Sequence, residues 1–230
     1  MQGPLSLGLS LWNAALGGGG GVISPDDLPN LAAWYQYGVG ITVTGAGVSQ
    51  WADQSGNARH LVQATDAARP ALQGDNSILF DGVDDTLKAV FTLNQPCTIY
   101  LLFKQVSWTA NEYIFDGNVG DSTILRQRFG GASPELAIYA GSGVGNDANL
   151  AVDSYGVAIV IFNGASSFLG INSNAGATLD AGTNNPGGFS LASNTFGQFS
   201  NIQVKEGIIY SAAHDAATRA QVVAYLQGFF

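Results

Sequence analysis

Three aspartates, Asp81, Asp84 and Asp85, lie within five residues of one another, directly after the apolar residues 78–80. Carboxylate oxygens are the ligands that Ca²⁺ prefers, so this spacing suggests a calcium site as one possibility. The same pattern is typical of a strand that ends in a tight turn, where short acidic side chains bond backbone amides and glycine supplies a positive φ. The run lacks the alternating acids and final glutamate of an EF-hand loop. We therefore predict a turn here, and calcium binding is the alternative.

Clustered catalytic side chains are not found in the sequence. Glycoside hydrolysis needs a pair of carboxyl groups, but the only glutamates are Glu112, Glu135 and Glu206, and there is no Glu-x-Asp-x-Glu cluster. A Ser-His-Asp triad would have to use His60 or His214, and no Gly-x-Ser-x-Gly motif is present. One cysteine and two distant histidines do not complete a tetrahedral zinc site. We expect no enzyme and no catalytic residues, with a hydrolase that uses aspartates as the alternative.

Aromatic side chains near predicted loops are the candidates for contact with a sugar, because their rings stack on the apolar faces of saccharides. Four of them stand close to such loops: Trp108, Tyr113, Tyr139 and Tyr155. The alternative for each is a place in the core, where most aromatic residues of a β-sandwich lie.

The composition excludes some classes of partner. The chain has 230 residues, a formal net charge of −9 and no run of Lys or Arg, so binding to nucleic acid is not expected. No stretch of 18 apolar residues occurs, so no membrane insertion is expected. Cys97 is the single cysteine, and no internal disulfide is therefore predicted. The sequence implies no cofactor other than the calcium considered above.

Short apolar runs separated by Gly, Asn, Asp and Pro predict an all-β protein. The 31 glycines and the spacing of the runs are typical of a jelly-roll sandwich of two antiparallel sheets. The predicted strands are 31–37, 41–44, 48–51, 60–63, 78–80, 87–91, 97–104, 113–116, 123–128, 135–139, 156–162, 167–171, 189–192 and 199–210. One short helix follows near the C-terminus, with Asp215 as its N-cap and Gly228 at the C′ position.

The first 21 residues differ from the rest of the sequence. Four leucines alternate with Ser and Gly, Trp12 follows, and residues 17–21 are all glycine; the leucines are Leu5, Leu7, Leu9 and Leu11. An apolar strand on a flexible tether is typical of an arm that docks on a neighbouring subunit. We therefore divide the chain into an assembly arm (1–21) and one domain (22–230). The alternatives are a first strand of the same domain and a disordered terminus. Because the first basic residue is Arg59, no secretory signal is expected.

Residues 24–230 resemble a known superfamily through motifs that occur in one order. These are Trp34 on a strand, the run WADQSGN (51–57), Pro70, the run FDGVDD (80–85), the strand end at 208–210 and the helix at 219–226. In this order they resemble modules of the laminin-G-like, concanavalin A-like lectin/glucanase superfamily. The resemblance implies a jelly-roll sandwich with a C-terminal helix. Thr218 departs from the pattern, since such modules often carry a glutamate there.

The N-terminal arm resembles the attachment segments of tailed-bacteriophage structural proteins, which often display lectin-like modules. We therefore expect a virion structural protein, such as a capsid decoration, a head fibre or a tail-associated protein. It would form a homo-oligomer or join other virion proteins through residues 1–21. The alternative is a carbohydrate-binding module or adhesin, assisted by calcium or not, at an extracellular or cell-surface location, with a host-surface glycan as its partner.

Overall fold

A computed structural model describes residues 23–118, 123–142, 145–173, 175–193 and 197–230. The predicted arm, with Leu5, Leu7, Leu9, Leu11 and Trp12, lies outside these residues. The strands in chain order are β1 (Leu31–Tyr35), β2 (Ile41–Thr44), β3 (Gly47–Trp51), β4 (Leu61–Val62), β5 (Ala71–Leu72), β6 (Ile78–Asp81), β7 (Leu87–Val90), β8 (Cys97–Gln105), β9 (Tyr113–Asp116), β10 (Ile124–Gln127), β11 (Glu135–Tyr139), β12 (Gly145–Asn149), β13 (Gly156–Phe162), β14 (Ser167–Ile171), β15 (Gly176–Leu179), β16 (Gly188–Leu191) and β17 (Asn201–Tyr210). One α-helix, α1 (Ala216–Gln227), follows the last strand.

The strands form two antiparallel sheets that pack face to face, which confirms the predicted β-sandwich. Within the described residues, one sheet has eight strands in the order β15-β14-β13-β8-β17-β6-β5, with β1 also paired to β17. The other has nine strands in the order β12-β11-β10-β9-β16-β7-β4-β3-β2. Successive side chains of a strand point to opposite faces of its sheet. Each sheet therefore has one face toward the core and one outer face.

The structure differs from the prediction at three strands, which were not predicted, and at the C-terminal end of the helix. The strands β5, β12 and β15 are short or glycine-containing, and they form because a neighbouring strand supplies hydrogen-bond partners for their backbones. Gly228 was expected at the C′ position with a left-handed backbone. It is instead the C-cap, with φ of −64° and an N–H that bonds the carbonyl of Tyr225.

The core between the sheets is rich in aromatic side chains. The ring of Tyr35 lies parallel to that of Phe189, with centroids 6.1 Å apart, and Trp51 packs at 5.9 Å on the same tyrosine. Each such pair stabilises the fold by about 0.5–1.5 kcal/mol beyond the burial of its area. These contacts join β1 of the eight-stranded sheet to β3 and β16 of the nine-stranded sheet, and so hold the two sheets together.

The run WADQSGN forms a turn that fastens the loop after β3 to β1. The buried carboxylate of Asp53 accepts hydrogen bonds from the backbone N–H groups of Trp34, Ser55 and Arg59, at 2.8, 2.9 and 3.0 Å. The amide of Asn57 donates to the carbonyl oxygen of Ala32 at 3.0 Å. This motif therefore serves the architecture of the sandwich.

Helix α1 covers the outer face of the eight-stranded sheet. Val222, Val223 and Leu226 are buried in a second apolar cluster with Tyr100 and Val157 of the two central strands. The Asp215 carboxylate accepts a hydrogen bond from the N–H of Thr218 at 2.8 Å, so this aspartate caps the helix as predicted. Because β8 and β13 have apolar contacts on both faces, their nearly continuous apolar sequences are explained.

The outer face of the nine-stranded sheet has no such cover among the described residues. Val62 and Val90, on β4 and β7, are 48% and 78% exposed on this face. The side chains of Val62 and Val90 are therefore accessible, whereas Tyr113 and Ile124 on the same face are buried.

Candidate functional site

The three aspartates after β6 form a turn. Asp81 accepts a hydrogen bond from the N–H of Val83 at 2.8 Å, and Asp85 accepts one from the N–H of Asp81 at 3.0 Å. One carboxylate oxygen from each of Asp81, Asp84 and Asp85 lies within 4.8 Å of the others. Burial, together with the charges of Asp81 and Asp84, raises the pKa of Asp85 to about 6. The carboxylates thus stabilise the turn, and they are also the described residues that are placed to hold a cation.

The histidines and the cysteine serve the fold. Nδ1 of His60 accepts the backbone N–H of Asp53 at 3.1 Å. Nδ1 of His214 lies 2.9 Å from the hydroxyl of Tyr100, and burial lowers the pKa of His214 to about 4. Burial also raises the pKa of Cys97 to about 12, which leaves its thiol protonated and unreactive.

Two of the four aromatic residues that were predicted to contact sugar lie together. Tyr113 and Tyr139 line one cavity on the outer face of the nine-stranded sheet. Trp108 is elsewhere, where its indole N–H donates to the carbonyl of Glu135 at 2.9 Å. Tyr155 belongs to the side of the eight-stranded sheet, and Nζ of Lys205 lies 4.2 Å from its ring centroid.

The cavity has a volume of about 140 Å³ and is lined by Tyr113, Ile124, Arg126 and Tyr139. These side chains come from β9, β10 and β11, which are neighbours in the sheet. Arg126 lies opposite Tyr113 on one side, and Ile124 lies opposite Tyr139 on the other. Tyr113 and Ile124 are buried, whereas Arg126 and Tyr139 are partly exposed at the opening.

A β-bulge in β9 brings Tyr113 to this cavity. Phe115 pairs with Leu125, yet the next pair along is Tyr113 with Arg126, so Ile114 is an extra residue in the ladder. Without the bulge, strand alternation would place Tyr113 opposite Gln127, whose side chain points to the interior and donates to Gln105. The bulge instead turns Tyr113 to the outer face and leaves Ile114 in the core.

Arg126 is a cavity residue that was not predicted from the sequence as a ligand contact. Its Nη1 donates to the amide oxygen of Asn111 at 2.8 Å, and its guanidinium carbon lies 5.9 Å from the ring centroid of Phe129. Its Nε is buried and has no acceptor among the described residues. The sequence signal for it was weak, since it was only one of eight basic residues and lay within a predicted strand.

A second cavity, of about 250 Å³, lies beside the start of α1. Leu28, Pro29 and His214 line it together with Asp215, whose carboxylate is occupied as the helix cap. The Nδ1 of His214 already faces Tyr100. This cavity therefore offers little chemistry toward a ligand.

No helix in the described parts of the chain is long and apolar enough to cross a membrane. No family model matches the sequence, and a comparison with curated proteins found no relative.

Solved structures do resemble the fold. A sialidase from Trypanosoma rangeli is 10% identical with a TM-score of 0.64, over 88% of this chain and 34% of the sialidase. A GH54 α-L-arabinofuranosidase is 12% identical with a TM-score of 0.58, over 79% of this chain and 51% of the other. Domain 4 of AbnA, a GH43 extracellular arabinanase from Geobacillus stearothermophilus solved with arabinotriose, is 13% identical with a TM-score of 0.58. It matches over 87% of this chain and 98% of that domain.

These structures confirm the β-sandwich at the level of the fold. The present chain spans about a third of the sialidase. They also correct one expectation, because the sequence analysis predicted that the protein is not an enzyme. That exclusion rested on missing clusters of carboxylates, and it was wrong, since the three structures named above are glycosidases or parts of them.

Proposed function

We propose that this β-sandwich binds carbohydrate and serves the hydrolysis of glycosides, with saccharide held on the outer face of the nine-stranded sheet. The observation that carries the proposal is the cavity between Tyr113, Arg126 and Tyr139, on a sheet face that no helix of the described residues covers. Aromatic rings provide apolar surface for a sugar ring, while tyrosine hydroxyls and a guanidinium offer hydrogen bonds to its oxygens.

The pattern of burial supports the same face as the binding surface. The opposite outer face is closed by α1, whereas the cavity opens beside the partly exposed Tyr139. Strands also fix the positions of the lining side chains better than loops would, which lowers the entropy lost when a ligand binds.

The structural neighbours support the proposal at the level of the fold. The arabinanase domain that matches over nearly its whole length was solved in complex with arabinotriose. We also propose that the sandwich is of the laminin-G-like, concanavalin A-like type. The support for this is the order of the motifs around Trp34, Trp51, Asp53 and Phe80.

The test is a glycan array probed with the full chain, followed by titration of the saccharides that bind. Tyr139→Ala removes the ring at the opening and should weaken binding by about tenfold, as expected for the loss of one stacking contact. Phe230→Ala is the matched control, because it truncates an aromatic side chain that is 55% exposed and lies outside the cavity. Binding that survives Tyr139→Ala unchanged, or an array without any bound glycan, would refute the proposal.

A virion role is a second proposal, which rests on the sequence of residues 1–21. The alternation of leucine with Ser and Gly, ahead of the glycines at 17–21, favours an arm that docks on another subunit. Removal of residues 1–21 should leave the domain folded but unable to join its oligomer or particle. Sedimentation of the full and shortened chains measures this, and equal assembly of both would contradict the arm.

A further inference from the structure

We propose that the cavity on β9, β10 and β11 selects acidic saccharides, with Arg126 binding the carboxylate of a uronic or sialic acid residue. This inference rests on the proposed carbohydrate binding and names the class of ligand. It starts from Arg126, which lines the cavity and whose buried Nε has no acceptor among the described residues.

Arg126 has no carboxylate partner among the described residues. Three other basic residues do have one: Arg69 pairs with Asp66, Lys104 with Asp153, and Arg128 with Glu135. The described groups that contact Arg126 are neutral, namely the amide of Asn111 and the ring of Phe129, while Glu135 on the neighbouring strand pairs with Arg128. Lys88 likewise has no ion pair among the described residues, so Arg126 is distinguished by its place in the cavity and by its buried Nε, which has no acceptor among those residues.

Two described carboxylates on the same sheet face, those of Glu135 and Asp116, are engaged elsewhere. Glu135 pairs with Arg128 at 3.1 Å. One oxygen of Asp116 accepts the backbone N–H of Gly117 at 2.6 Å and that of Thr123 at 3.3 Å. Asp116 follows Phe115 at the other end of β9, and it forms no ion pair with Arg126. Among the described residues, no carboxylate is therefore paired with Arg126.

The shape of a guanidinium favours a carboxylate over a hydroxyl as its partner. Its planar N–H groups form two parallel hydrogen bonds with a carboxylate, and charge-assisted bonds are about twice as strong as neutral ones. Beside it, the rings of Tyr113 and Tyr139 offer apolar walls to the sugar that carries the acid. An acidic saccharide uses both features at once.

The size of the cavity points to recognition of one substituent. Its volume of about 140 Å³ is below the roughly 300 Å³ at which pockets for whole small molecules begin. The cavity is large enough for the carboxylate of a single sugar, while the other sugars of the saccharide lie on the sheet. Lys88, on the same face and without an ion pair among the described residues, stands three strands away, or roughly 14 Å across the sheet.

The charge of the whole protein argues against dense polyanions. A net charge of −9 repels nucleic acids and highly sulfated chains, which need rows of basic residues. A single carboxylate on one sugar needs only one well-placed arginine. The combination of a negative protein and a lone positive cavity therefore favours saccharides of low charge density.

The test is isothermal titration of the full chain with two matched pairs of probes. These are a galacturonic acid trisaccharide with its methyl ester, and sialyllactose with lactose. At least one acidic probe should bind about tenfold to a hundredfold more tightly than its neutral partner, as expected for a charge-assisted bidentate contact. Arg126→Gln should remove this preference, and Arg126→Lys should retain only part of it.

Lys104→Gln is the matched control, since it makes the same change in net charge and its ion-pair partner Asp153 is unrelated to the cavity. It should leave the preference intact. Thermal unfolding of each variant confirms that the fold persists. Equal binding of acidic and neutral probes, or a preference that survives Arg126→Gln, would overturn this inference while carbohydrate binding stands. Absence of binding to the probes and to every glycan on the array would overturn both.

Discussion

The indole N–H of Trp34 donates a 2.7 Å hydrogen bond to the carboxylate of Glu206, which lies 172 positions later in the chain. The same carboxylate oxygen accepts the hydroxyl of Tyr225 at 2.9 Å. Glu206 is fully buried, and burial raises its pKa above the ordinary value of a glutamate. One carboxylate therefore joins the first strand, the last strand and the C-terminal helix.

The first prediction concerns this junction. Glu206→Ala should lower the free energy of unfolding by about 3 kcal/mol, because it leaves the buried indole N–H of Trp34 and the half-buried hydroxyl of Tyr225 without an acceptor. Glu206→Gln should cost less, since its amide oxygen still accepts from Trp34 and Tyr225. Urea unfolding measures both, and Glu112→Gln, at a partly exposed glutamate, is the control. An unchanged stability of Glu206→Ala would show that this carboxylate has a role other than holding the elements together.

The second prediction concerns pH and His214. The folded state holds this imidazole neutral, because burial lowers its pKa from 6.5 to about 4. The unfolded chain takes up the proton first, so stability should fall as the pH drops from about 6.5 to about 4, by on the order of 2 kcal/mol. Below that range the contribution of His214 is constant.

Urea unfolding at a series of pH values checks this slope. His214→Gln should flatten it, whereas His60→Gln, at the other histidine of the chain, should leave the contribution of His214 in place. A slope that is the same in wild type and His214→Gln would contradict the prediction.

The third prediction concerns Asp85, whose effect on stability has the opposite sign. Its pKa is raised from 3.8 to about 6, so the folded state binds the proton more tightly, and stability falls as the pH rises from about 4 to about 6. Asp85→Asn keeps an oxygen for the N–H of Asp81 and removes the repulsion from Asp81 and Asp84. It should therefore stabilise the protein at pH 7 by about 1 kcal/mol.

Thermal unfolding with and without millimolar calcium separates the two interpretations of this turn. If the carboxylates only stabilise the turn, the Tm of wild type stays the same when calcium is added. A rise in Tm that Asp85→Asn abolishes would establish a metal site, because an ion that binds only the folded state stabilises it. Magnesium in place of calcium is the control for a general effect of divalent salt.

Much of the sandwich could be predicted from local patterns. Alternating apolar residues and turn signals gave most strands, and Asp215 was recognisable as a helix cap because a cap depends on a few neighbouring residues. The strand β12, with the sequence GNDAN, could not be predicted in this way. It exists because β11 lies beside it and pairs with its backbone.

Only two of the four residues that line the candidate site could be predicted from the sequence. Tyr113 and Tyr139 could be named as aromatic residues near loops, but nothing local joined them to each other or to Arg126. Tyr155 is also an aromatic residue near a predicted loop, but it lies on the side of the eight-stranded sheet, where its ring contacts Lys205. Which aromatic residues share a cavity depends on strand order, which single-sequence patterns do not contain.

The sequence by itself determined that this protein is a β-sandwich with a capped C-terminal helix, because side-chain alternation and turn chemistry act over a few residues. Only the tertiary structure decided that the helix covers the outer face of one sheet and that part of the other sheet's outer face is exposed. It also decided, through the bulge at Ile114, that Tyr113 turns outward to meet Arg126. The physical reason is register: a shift of one residue between paired strands exchanges the inner and outer faces, and its energy depends on the whole sandwich.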